Sequence, residues 1–183
     1  MNHTTLGDPS ERTVRLADAL DTDHIAVNRY RIPPGDSLPG GLHAHPNQEE
    51  VFVVVAGVAR FETLGGEVRV AAGEAVRFAP GEYQSGANDG DEPLVAIALG
   101  APRDSDDVRV PATCPACGTE GLRLGAGGST ATFACPECDA EHEPSPCPAC
   151  GGTDLGFTTD AESRPVVECG DCGARFADAP IRE

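Results

Sequence analysis

The sequence predicts an all-β protein: a small antiparallel sandwich or closed barrel, followed by two short modules tied together by metal. Three observations carry that expectation. From residue 13 to residue 99, short apolar or alternating runs are separated by turn residues, with no helical periodicity beyond two turns. All eight cysteines lie after residue 113, in four C-x-x-C pairs. The stretch "GGLHAHPNQEEVFVVVAG" sets two histidines two residues apart, ahead of a pair of glutamates.

Taken in order, the expected strands are "TVRLA", "HIAVNRYRI", "GLHAH", "EVFVVV", "VARFET", "EVRVA", "EAVRFA", "YQSGAN" and "PLVAIAL". The turn makers between them include "PPGDSLPGG", the glycines at 65 and 66, "AAG" and "NDGDEP". Such even spacing suits a sandwich or a small closed barrel, and closure removes exposed strand edges. Phe52, Val54, Phe61, Val76 and Phe78 are expected to fill its core.

On an extended chain, residues two apart point the same way, so the imidazoles of His43 and His45 can reach one ion. The following "PN" supplies a bend that can bring Glu49 or Glu50 back to the same point. Two imidazoles and one carboxylate form the facial set used by non-haem iron and related divalent ions. The plainer alternative is a pair of polar residues on an exposed strand.

These residues resemble the first motif of the cupin family, in which a His-x-His pair, a glutamate and a glycine recur at set intervals. Here His43 and His45 are followed by four residues, Glu50, six residues and Gly57; spacing to Gly57 favours Glu50 over Glu49. "GEAVRFAPGEYQSGAN" is similar to the second motif, with Gly73, Gly81 and Asn88 in place, Pro80 one residue late, and Gln84 where a histidine ligand stands. The resemblance covers roughly residues 12–100. It implies a double-stranded β-helix, or jelly-roll, barrel holding one divalent ion (Fe, Mn, Ni or Zn) on His43, His45, Glu50 and Gln84. Gln84, a neutral amide, is expected to weaken that site. The family includes dioxygenases, isomerases and decarboxylases, so a small organic ligand is implied and the reaction is not. A non-catalytic sensor or adaptor is the alternative. As a general base, only Glu49 and, weakly, Tyr83 present themselves; Arg77 and Tyr83 read as wall or surface residues. The resemblance also implies a homodimer.

In the tail, Cys114, Cys117, Cys135 and Cys138 form one expected zinc site, and Cys147, Cys150, Cys169 and Cys172 a second. A C-x-x-C turn points two sulfurs at one ion, and a hairpin returns the other pair to complete the tetrahedron. "CPACGTEGLRLG" repeats as "CPACGGTDLGFT", and "TFACPECDA" as "VVECGDCGA". Each unit resembles a zinc ribbon, with Leu122 and Leu124, or Leu155 and Phe157, covering the metal loop. Two Zn2+ ions are expected; iron on four thiolates is the rival and disulfides a weaker one. His142 reads as a solvated loop residue, and His3 and His24 receive no role.

The expected organisation is therefore a barrel over 1–100 with its core at about 12–100, a linker over 101–111, and ribbons over 112–143 and 144–183. All 13 basic residues are arginine, against 30 acidic residues, for a net charge of −17 shared almost equally by barrel and tail. This composition resembles proteins of salt-accumulating extreme halophiles; an ordinary acidic protein of a GC-rich genome is the alternative. Acidity argues against nucleic acid and leaves the ribbons a protein-docking or stabilising role. The amino terminus lacks a signal-like apolar core, and no apolar run is long enough to span a membrane, so a cytoplasmic protein is expected.

Overall fold

The computed structural model describes residues 1–125 and 131–182. Residues 126–130, inside the stretch that separates the first unit's cysteine pairs, and Glu183 lie outside the described residues. In chain order the elements are β1 (Thr13–Arg15), α1 (Leu16–Leu20), β2 (Ala26–Ile32), β3 (Glu49–Ala56), β4 (Val58–Thr63), β5 (Gly66–Ala71), β6 (Ala75–Phe78), β7 (Gln84–Ala87) and β8 (Leu94–Ala101). There follow β9 (Arg109–Thr113), β10 (Glu120–Gly125), β11 (Thr132–Ala134), β12 (Glu141–His142), β13 (Leu155–Thr159), β14 (Pro165–Cys169) and β15 (Arg175–Phe176). The described residues contain no helix long and apolar enough to cross a membrane.

Two antiparallel sheets, ordered β1-β2-β8-β3-β6 and β5-β4-β7, face one another across the barrel core. That core joins Phe52 and Val54 of β3, Phe78 of β6 and Leu94 of β8 to Ala59 and Phe61 of β4 and Val70 of β5. The rings of Phe52, Phe61 and Phe78 stand with centroids 5.0–6.0 Å apart, within the range of favourable aromatic pairing. Val76 packs partly buried against them. The β3–β4 turn is closed by Gly57 at φ +77°, where a Cβ would stand 3.0 Å from the carbonyl oxygen of Pro93. Only glycine suits both the conformation and the approach.

Inward-facing side chains shrink along β8, from Leu94 through Ala96 and Ala98 to Gly100, and β2 faces the same end with Asn28 and Tyr30. One end of the barrel is thus packed solid, while the other is left hollow.

"GLHAH", expected as a strand, forms only isolated bridges: His43 to Gln84 and Ala44 to Arg109. Residues 101–111, expected as a linker, are not free chain. Ala101 ends β8, Arg109–Thr113 form β9, and the intervening residues lie against the barrel through Gln48 Nε2–Pro102 O (2.6 Å) and Ser105 Oγ–Asn47 Oδ1 (2.7 Å). The tail adds two further antiparallel sheets, β12-β11-β10-β9 and β13-β14-β15. Leu122 is fully buried in a small cluster with Val110, Cys114 and Phe133, against which Leu124 and Phe157 pack.

Phe61 is fully buried, whereas Val55 is 53% exposed. Phe61→Ala is expected to destabilise the barrel by about 3–5 kcal/mol, and Val55→Ala by less than about 0.5 kcal/mol. Urea unfolding of both variants checks this contrast.

Candidate metal centre

Each histidine at the hollow end is anchored through one ring nitrogen. His43 Nδ1 lies 2.8 Å from the carbonyl oxygen of Gly41, an acceptor only, so Nδ1–H donates and Nε2 keeps its lone pair. Ser105 Oγ donates to Asn47 Oδ1 and stands 3.3 Å from His45 Nδ1, leaving an oxygen lone pair to accept the Nδ1–H of His45. His45 Nε2 then faces Glu50, 3.9 Å from its Oε2. The two rings meet edge to face at 5.0 Å. Ligand-type atoms of His43, His45 and Glu50 all lie within 4.8 Å of one another.

Backbone geometry prepares this seat. Gly40 has φ +109°, and a Cβ there would press on His43 Cε1 at 2.9 Å. Within its own sheet Glu50 pairs with Gly100 and Phe78, which brings it to the hollow end. Burial pushes the Glu50 carboxyl up from its ordinary range, against the pull of His43 and of the Gln84 amide. Burial, reinforced by His43, pushes His45 down to about 4, with Asp107 opposing, so the imidazole is neutral at ordinary pH. Gln84 is buried and donates from Nε2 to Glu50 Oε2 at 3.1 Å. Among the described residues no guanidinium pairs with Glu50. A half-buried carboxylate without a paired guanidinium, beside two imidazoles, fits a divalent ion.

These groups open on a cavity of about 260 Å³, also lined by Asn28, Tyr30, Gln48, Arg103 and Ser105. Sequence reasoning passed over all five. Asn28 and Tyr30 left a faint signal, two polar residues on the inward face of a strand; Arg103 and Ser105 left none, coming from the expected linker. Burial and the nearby Glu50 charge push the Tyr30 phenol up. Arg103 is held by Asp18 (2.8 Å) and by the carbonyl of Thr22.

Glu49, weighed as a rival carboxylate and general base, points elsewhere and pairs with Arg77 at the surface. Alternation along β3 sends neighbouring side chains to opposite faces. Tyr83 does not line the cavity; its hydroxyl lies 3.0 Å from where a Cβ on Gly121 would stand. A larger cavity of about 640 Å³ lies between the tail sheets and Gly40 and Gly41, with Arg182 as the one charged lining residue among the described residues. The smaller cavity is the one that His43, His45 and Glu50 line.

In the tail, all eight cysteines are free thiols, and the ligand atoms of each tetrad lie within 4.8 Å of one another. Individual Sγ···Sγ distances are 3.8 Å for Cys114–Cys138, 3.5 Å for Cys117–Cys135, 3.8 Å for Cys147–Cys172 and 3.7 Å for Cys150–Cys169. A tetrahedron with metal–sulfur bonds of about 2.3 Å has edges of about 3.8 Å, so both tetrads fit a four-thiolate ion. Each C-x-x-C turn closes alike. The residue after its second cysteine has positive φ (Gly118, Asp139, Gly151 and Gly173) and donates its N–H to the carbonyl of the first cysteine at 2.7–3.2 Å. His142 is not a solvated loop residue: it lies half-buried on β12, with Nε2 3.4 Å from Cys114 Sγ.

Residues 28–100 match the family model of the cupin domain. Comparison with curated proteins finds no match. Among solved structures, a cupin protein from Bacteroides fragilis is 22% identical with a TM-score of 0.49, the alignment covering 56% of this chain and 86% of that one. A protein provisionally designated a sugar phosphate isomerase, from Acidithiobacillus ferrooxidans, is 26% identical with a TM-score of 0.47, over 53% of this chain and 61% of that one. A predicted oxalate decarboxylase from Thermotoga maritima is 27% identical with a TM-score of 0.44, over 49% of this chain and 78% of that one.

Gly40→Ala adds a steric clash with His43 to backbone strain, whereas Gly81, at φ +85°, would meet nothing within 4 Å. Each substitution is expected to cost about 1–3 kcal/mol for the left-handed backbone, with Gly40→Ala the larger. Equal unfolding midpoints for the two variants would show that the ring is not held in this way.

Proposed function

We propose that the cupin domain of this chain holds one divalent ion on His43, His45 and Glu50, with Gln84 at the fourth position, and binds or transforms a small organic molecule in the adjoining cavity. The observation that carries this reading is the convergence of two anchored imidazoles and a half-buried carboxylate with no arginine partner among the described residues on one chamber. A bound ion there would supply Lewis acidity and open coordination positions for a ligand. The protein's own groups do the rest. Gln84 holds the carboxylate through its N–H, and its amide oxygen is the atom it would offer as a ligand. Tyr30 keeps its proton at ordinary pH and can donate it, or a hydrogen bond, to a bound molecule. Iron, manganese, nickel and zinc all remain compatible with this donor set.

In the same reading, the two cysteine tetrads hold Zn2+. Nucleic acid is not favoured as a partner: the four tail arginines each pair with carboxylates, Arg123 with Asp107, Arg164 with Asp160, Arg175 with Glu168 and Arg182 with Glu143. No cation in the described tail is left over for phosphate. A second reading, a non-catalytic sensor of a metal or metabolite, is favoured by one observation. The Gln84 N–H is engaged by Glu50, which leaves a single neutral oxygen where an imidazole would bind more strongly.

Element-resolved analysis of anaerobically isolated protein is expected to find two zinc ions and one further divalent ion per chain. The His43→Ala, His45→Ala double variant should keep the two and lose the third; equal third-site occupancy in both would refute the barrel site. Gln84→His is expected to raise barrel affinity by at least about tenfold, read by competition with a chelator. Metabolite turnover measured alongside separates catalyst from sensor.

A further inference from the structure

The segment 41–45 has two hydrogen-bonding edges, and they belong to different parts of the molecule. Along one, His43 N donates to Gln84 O (3.1 Å) and Gln84 N to His43 O (2.9 Å), joining the segment to β7 of the barrel. Along the other, Leu42 N donates to Phe157 O (2.9 Å), Ala44 N to Arg109 O (2.9 Å) and Arg109 N to Ala44 O (2.8 Å). These last partners lie on β13 and β9, strands of the two cysteine-bearing units. The outer edge of the segment that presents His43 and His45 is thus covered by the tail.

The connection between barrel and tail contributes side chains as well. Running back along residues 44–48, it is fastened at Gln48–Pro102, Asn47–Ser105, His45–Ser105 and Ala44–Arg109. Ser105 is the group that holds His45 by Nδ1, leaving Nε2 free for the cavity. Gly41, which holds His43 in the same way, adjoins the Leu42–Phe157 bond.

Resting on the metal-site reading above, we infer that the tail is a working part of the barrel site. Ser105 positions His45, and strands secured by the two cysteine tetrads hold the outer edge of the His43–His45 segment. Loading the tetrads therefore sets how tightly the barrel binds its ion. β9 runs directly into Cys114, and β13 lies between Cys150 and Cys169. Hairpins this short bury too little apolar surface to persist without metal, so emptying a tetrad releases its strand from the segment. Partners that orient a ligating imidazole through its second nitrogen typically contribute tenfold to a hundredfold in metal affinity.

The test uses the full chain with one equivalent of Zn2+ per intact cysteine tetrad, titrated with Mn2+ and followed by electron paramagnetic resonance. Mn2+ favours nitrogen and oxygen donors and does not compete with zinc for thiolates. Ser105→Ala is expected to raise the Mn2+ dissociation constant by about tenfold and to broaden the bound-ion spectrum, while Ser105→Thr, which keeps the hydroxyl, restores both. Cys169→Ser with Cys172→Ser, and separately Cys114→Ser with Cys117→Ser, should weaken binding by at least as much. The inference is overturned if Ser105→Ala or either cysteine variant binds Mn2+ as tightly as the unaltered chain. His43→Ala with His45→Ala is the control. Should the unaltered chain bind no more Mn2+ than that control, the metal-site reading itself fails and this inference with it; binding lost in the control but equal elsewhere defeats only the inference.

Discussion

The site depends on a short extended segment being hydrogen-bonded along both edges. Residues 41–45 are too short to hold their own conformation, and two of them must present imidazoles in one direction. A strand paired on one side alone can twist and slip, whereas one paired on both is fixed in register. Gln84 closes the inner edge, and Arg109 and Phe157 close the outer. The glycines at 40 and 41, both with positive φ, turn the chain into this slot. The side chain of Gln84 also steadies Glu50, so a single barrel residue touches both halves of the donor set.

Charge is organised on the same plan. Acidic residues outnumber arginines by more than two to one, and arginines are largely consumed in local pairs. Arg60 alone engages Glu62, Glu67 and Asp89, while Arg109 and Arg123 share Asp107. The exposed pairs elsewhere, such as Arg77–Glu49 and Arg164–Glu162, contribute little stability individually and are screened by salt. Among the described residues Glu50, half-buried in the cavity, has no arginine partner. Asp107, held by Arg109 and Arg123, still reaches His45, where its pull opposes burial and the push of His43.

Much of this was legible because it obeys short-range rules. The period of two in a strand put His43 and His45 on one face, and spacing to Gly57 separated Glu50 from Glu49. The tetrads were legible through repetition, since each turn reuses one backbone hydrogen bond and one residue of positive φ. What escaped came from long-range contact. Tyr30 and Asn28 reach the cavity because β2 pairs with β8 across more than sixty residues, and nothing local marks them. Ser105 sits in a charged, proline-flanked stretch that by composition reads as linker; only the pairing of Ala44 with Arg109 draws it onto His45. His142 followed the same pattern, since β12 lies beside Cys114 only after β11 has folded back.

The graded shrinkage of side chains along β8 has a geometric corollary. Chamber depth is governed by residues 98 and 100, on a strand that donates nothing to the ion-facing trio. The residues that line the far wall of the chamber and the three ligand-type side chains thereby lie on separate stretches of chain. Exchanging Ala98 for a valine would shorten the chamber while leaving His43, His45 and Glu50 unaltered.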